Sequence, residues 1–126
     1  MENLSTYKIG LLHLIYLITI CDNEIDETEV AYFGQLLRDE EIDEMLFQNF
    51  KESINNKSQH DIFYEGITLI KQFGDEMRIR AFKALFAMAK SDSKLHVQEA
   101  KFLLYTSKKL NVSISDFLND SSILKP

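Results

Sequence analysis

The octapeptide Asp22-Asn23-Glu24-Ile25-Asp26-Glu27-Thr28-Glu29 decides how the chain is read. It is an acidic break behind a long apolar run, residues 11–21, and it carries the start signal of a new helix. Asp26 stands where a side-chain oxygen accepts the free N–H groups of a first helical turn. Glu29, three residues on, occupies the capping-box position. Asp22 and Asn23 end the preceding segment, and asparagine tolerates the left-handed conformation that helix ends favour. A weaker copy, Asp92-Ser93-Lys94-Leu95-His96-Val97-Gln98-Glu99, follows seventy positions later behind a second apolar run.

Shifting the chain by seventy superimposes two units. Leu12 meets Phe82, Ile15 meets Leu85, Tyr16 meets Phe86 and Ile18 meets Met88. Asp22 then meets Asp92, Ile25 meets Leu95, Glu29 meets Glu99 and Phe33 meets Leu103. Identity is low, but the residue class agrees where a helix–turn–helix needs it. The spacing predicts two similar hairpins packed with pseudo-twofold symmetry into one compact bundle.

Outward from the repeat, the periodicity is helical throughout. A first helix runs from Asn3 or Ser5 to about Cys21, apolar around most of its circumference, as a central helix touched from several sides would be. A second starts at Asp26 and turns Val30, Phe33, Leu36 and Leu37 inward. A third starts near Glu41, with Ile42, Met45, Leu46, Phe50 and Ile54 on one side. Residues 55–58 are a polar break, and Ser58 caps a fourth helix that Gly74 stops. Asp75 caps a fifth, running to Lys90 or Ser91. A sixth spans about Val97 to Leu110 and carries Ala100, Leu103, Leu104 and Ser107 inward. Ser113, followed by Asp116, opens a short seventh helix through about Asn119. The fold class is therefore all-α with about seven helices: one domain over residues 1–120 and a loose tail at 121–126. The single proline, Pro126, and four glycines fit a chain with few breakers.

Composition narrows the class. The 126 residues suit one core, and the 45% hydrophobic content supplies it. Cys21 is the lone cysteine, so no disulfide within the chain and no cysteine-based zinc site is expected. Met1 is followed by acidic and polar residues, and residues 11–21 are too few to span a bilayer, which takes ~20 apolar residues. A cytoplasmic, non-transmembrane protein is the expectation, with peripheral membrane association left open. The net charge is −6 but unevenly spread. Residues 22–52 hold eleven acids against Arg38 and Lys51, whereas residues 71–109 hold nine bases against four acids. The bases are scattered and no aromatic–basic RNA motif accompanies them, so sequence-specific nucleic-acid binding is not expected. Weak, salt-sensitive association with another protein through one of the patches is expected instead.

At the repeated turns the sequence resembles the TerB-like family, named for a tellurite-resistance protein. Its pattern is an apolar helix, then Asp-Gly, an aliphatic two residues after the glycine, and Glu seven after the Asp. Asp22, Ile25 and Glu29 match it, as do Asp92, Leu95 and Glu99. The residues from Phe82 to Ala89 resemble the helix before its acidic turn, and Leu110-Asn111-Val112-Ser113 resembles its closing turn. The family's glycine is Asn23 in one copy and Ser93 in the other. The resemblance covers residues 11–117. It implies an all-helical fold of about seven helices, no catalytic activity, a divalent-cation site at the acidic turns, and a place in bacterial stress response or membrane-associated systems.

The chemistry of the turns supports two readings. Asp22, Glu24, Asp26 and Glu29 offer oxygen ligands, with Asp92 and Glu99 completing the shell if the hairpins are apposed. Hard cations such as Ca²⁺, Mg²⁺ or Mn²⁺ take such ligands. The same residues also serve as helix ends and caps, a role that needs the same residue types at the same spacing. The segment is not an EF-hand, because Glu27 stands where its glycine belongs and Phe33 where its bidentate acid belongs. Lys94 and His96 replace Glu24 and Asp26 in the second copy, which weakens it. Catalysis finds no nucleophile: Cys21 sits beside Asp22, which disfavours a thiolate, and lies more than two turns from His13. No phosphate loop or Rossmann fingerprint occurs, so no organic cofactor is expected. Two function classes remain: a non-catalytic helical binding module, and a small metal-dependent enzyme built on the acidic cluster.

Overall fold

The computed structural model describes residues 4–20, 27–90 and 97–113. They form six α-helices: α1 (Leu4–Ile20), α2 (Glu27–Asp39), α3 (Glu44–Ser53), α4 (Gln59–Ile70), α5 (Asp75–Ala89) and α6 (Val97–Leu110). No strand occurs among the described residues. The expected seventh helix and the 121–126 tail lie outside them, apart from Ser113.

The all-round apolarity of α1 has the expected consequence. Tyr7, Leu11, Leu12, Leu14, Ile15, Leu17 and Ile18 are all buried, on opposite sides of the helix. Leu11, Leu14, Ile15 and Ile18 join Ile70, Phe82, Leu85, Met88, Leu103 and Leu110 in the larger core. Leu12 and Leu17 face a second cluster with Ile42, Phe50, Ile54 and Ile62. Each fully buried aliphatic side chain stabilises the fold by about 1.5–3 kcal/mol before entropy is counted. The helix between two clusters is thus the element whose loss unfolds both.

Helix α1 packs most extensively on α4 and next on α5. Two glycines make the α1–α4 crossing close. A Cβ on Gly66 would come within 2.8 Å of His13 Cβ, and one on Gly10 within 2.9 Å of Leu69 Cβ. The backbones approach where each helix lacks a side chain. Arg78 ties the far end, its guanidinium donating to the Lys71, Phe73 and Leu110 carbonyls. It thereby satisfies acceptors left over where α4 and α6 end.

The seventy-residue repeat is visible in the helix boundaries. Helices α2 and α6 begin at Glu27 and Val97, positions the shift pairs. They also end on the same motif. Glu41 and Asn111, seventy apart, are the positive-φ residues among the described ones, at φ 55° and 57°. Ile42 N–H donates to Leu37 and Glu41 N–H to Arg38; Val112 N–H donates to Ser107 and Asn111 N–H to Lys108. Both are Schellman closures, with a buried aliphatic, Ile42 or Val112, following the left-handed residue.

Some local expectations shift. α3 starts at Glu44 rather than near Glu41, because the α2 closure occupies 40–42 and Asp43 takes the cap, accepting from Leu46 N–H at 2.8 Å. Ser58 caps α4 as expected, accepting from Asp61 N–H. Gly74 rather than Asp75 holds the cap position of α5, with no side-chain bond. Val30, Met45 and Leu104, expected inside, are exposed.

Candidate functional site

The acidic turns join α1 to α2 and α5 to α6. Asp22, Glu24, Asp26 and Asp92 lie outside the described residues, as does the side chain of Glu29. Glu29 falls in the first turn of α2 and Glu99 in the first turn of α6, at equivalent positions. Glu99 is buried, 2% exposed, so its carboxylate is turned into the protein rather than to water. A buried carboxylate needs a partner, and Glu99 has one. Among the described residues no group of three or more His, Cys, Asp or Glu is placed to hold a metal ion.

An apolar groove of about 400 Å³ opens between α1, α2 and α3. Tyr16, Ile20, Val30, Phe33, Leu37 and Phe47 line it. A smaller depression lies between α1, α4 and α6, where Phe63 packs edge-on to Phe102 and His60 sits beside Tyr64. Neither holds a nucleophile–base pair.

Two polar networks escaped the sequence analysis. His13 is buried on α1, with Nδ1 2.7 Å from the Ile9 carbonyl and Nε2 3.2 Å from Glu65 on α4. The carbonyl only accepts, so Nδ1–H donates there and Nε2 is left facing the carboxylate. Lys57 Nζ donates to both Glu65 oxygens, at 2.8 and 2.7 Å. Those bonds from Lys57 hold the Glu65 carboxyl below its usual range; partial desolvation opposes the shift and His13 adds to it. In the second network Glu40, 8% exposed, is paired with Arg80 at 2.7 Å. Burial works to lower the Arg80 pKa, but the hydrogen bond and charge of Glu40, with the nearby Tyr7 and Glu41, together outweigh it and the net shift is upward. The Arg80 guanidinium lies over the Tyr7 ring, and burial, then Glu40, pushes the Tyr7 hydroxyl up. Both networks clamp helices together: α1 to α4, and the end of α2 to α5. No sequence signal marks them, because the partners are 52 and 40 residues apart.

A family model described as "Tellurite resistance protein TerB" matches residues 8–120, which include both acidic turns and all six helices but the start of α1. No curated protein and no solved structure matches the chain. No described helix is long and apolar enough to cross a membrane.

Proposed function

The chain belongs to the TerB family, and on that premise we propose that it is a non-catalytic helical binding module whose acidic corners hold a divalent cation. Asp22, Glu24, Asp26 and Glu29 form the main site, with Asp92 and Glu99 at the second corner. Their oxygen-only chemistry suits Ca²⁺, Mg²⁺ or Mn²⁺. The observation that carries this reading is the matched register of α2 and α6, which puts Glu29 and Glu99 at equivalent positions of a first helical turn. A repeat preserved at both ends of α2 and α6 presents its acids at equivalent places.

When bound, the cation would neutralise acids that otherwise repel one another and would fasten the start of each second helix to the end of the first. The chain's own contribution is to fix those helix starts. The bound form would then be the form that docks on a partner protein in a stress response. A small metal-dependent enzyme is the weaker alternative, since no nucleophile–base pair adjoins the described ends of the turns.

Thermal melting with and without millimolar Ca²⁺, Mg²⁺ or Mn²⁺ tests the proposal. A ligand that binds only the folded state raises the melting temperature, by an amount that grows with its concentration over Kd. A rise reversed by chelator is expected. Identical melting curves with all three metals would leave these residues as helix caps.

A further inference from the structure

The outward face of α6 is unlike the rest of the helix. Val97, Lys101, Leu104 and Lys108 recur at helical spacing in one line, all exposed, with Val97 68% and Leu104 54% exposed. Tyr105 and Lys109 flank the line, the ammonium lying over the ring. The only acid on α6, Glu99, points the other way and is buried. Among the described residues neither Lys101 nor Lys108 forms an ion pair. The lysines interleave with the apolar residues on the same line. Interfacial membrane helices instead segregate charge from an apolar face. A partner surface that is itself mixed, acidic and apolar, fits the strip better.

The chain displays such a surface. On α3, Glu44, Gln48 and Glu52 share one exposed line, and Met45 beside it is 74% exposed. At 1.5 Å per residue, Glu44 and Glu52 stand about 12 Å apart along α3, and Lys101 and Lys108 about 10.5 Å apart along α6. The difference is within the reach of a flexible lysine stem. Leu104 lies between the two lysines, and Met45 lies beside the acidic line, next to Glu44.

We propose that the α6 strip of one copy docks on the α3 strip of a second copy. Lys101 and Lys108 face Glu44 and Glu52, and Leu104 packs near Met45. The contact joins two different surfaces, so it is head-to-tail and leaves one strip of each kind free for a further copy. Exposed charges carry it, so it is weak, with a dissociation constant on the order of 0.1–1 mM, and salt-sensitive.

Sedimentation of the full chain over a concentration series tests it, at about 20 mM and about 500 mM salt. Average mass should rise with concentration at low salt and stay monomeric at high salt. Lys101→Glu with Lys108→Glu, and separately Glu44→Lys with Glu52→Lys, should each weaken association at least about tenfold. All four positions are exposed, so helical content should be unchanged in both variants. Mixing the two variants should restore association, because each then offers the other a complementary strip. A monomer at every salt concentration, association indifferent to either variant, or a mixture that stays monomeric would overturn the proposal. So would binding of the lysine strip to phosphatidylserine vesicles with no self-association, an outcome that assigns the strip to lipid.

Discussion

The two hairpins of the repeat start and stop in register, yet they close differently. In the second, α5 and α6 pack on each other, and α6 buries Glu99, Leu103, Thr106, Ser107 and Leu110. In the first, α1 gives its main contact to α4 and α2 leans on α5. Leu36 on α2 is buried, but Val30 stays 60% exposed, and a groove runs between α1, α2 and α3. The helix ends are local properties, set by the Schellman closures that α2 and α6 share. The closure is a tertiary property. Gly10 and Gly66 let α4 approach α1 closely enough to become its principal partner, and α2 is left to cover other ground.

The largest expected effect lies in the closed hairpin. Leu85 is fully buried, so Leu85→Ala should cost about 2–5 kcal/mol in denaturant unfolding. A cost under ~1 kcal/mol would mean that α5 is not core. The reason for the difference is probed by Gly66→Ala. The added methyl meets His13 Cβ, which the α1 backbone holds, so it should destabilise by about 1–3 kcal/mol. An alanine tolerated there, or stabilising through its helix propensity, would remove the argument that close approach selects α4.

Much of this was legible in the sequence, and the misses have definite causes. The span of α6 and the Ser58 cap follow from side chains acting within a few residues. The repeat pointed to paired helix starts, and its extension to Glu41 and Asn111 was there to be found: Asn111 is a common left-handed residue, whereas Glu41 is not. Val30, Met45 and Leu104 were assigned to the core by periodicity, which ranks faces but does not say how wide the buried stripe is. The His13–Glu65–Lys57 chain was invisible because it depends on the α1–α4 crossing, and nothing local announces which helices cross. Of the proposed acidic site, the sequence supplied the candidate residues, and the described helices show only that Glu29 and Glu99 fall at equivalent positions of α2 and α6.

Smaller effects sharpen the contrast. Glu65 is held below its ordinary pKa of 4.5, so its contribution to stability is full above that value and fades as pH falls through the lower, folded value. Glu65→Gln should therefore flatten the acid limb of the stability profile while costing less than about 1 kcal/mol at neutral pH, since the carboxylate is 42% exposed. An unchanged acid limb would show that the clamp adds nothing to the α1–α4 contact. Smallest of all, Val30→Ala at the lip of the groove should alter stability by no more than about 0.5 kcal/mol. A loss comparable to that of Leu85→Ala would mean that the first hairpin closes as tightly as the second.

The comparison of the two corners comes down to titration calorimetry with Ca²⁺, Mg²⁺ and Mn²⁺ on the wild type, Asp22→Ala and Asp92→Ala. The first corner carries Glu24 and Asp26 where the second has Lys94 and His96. A cation site of oxygen ligands should therefore show modest affinity in the wild type, a marked loss in Asp22→Ala and a smaller loss in Asp92→Ala. Absence of binding heat with every metal, or equal losses in the two variants, would contradict the account.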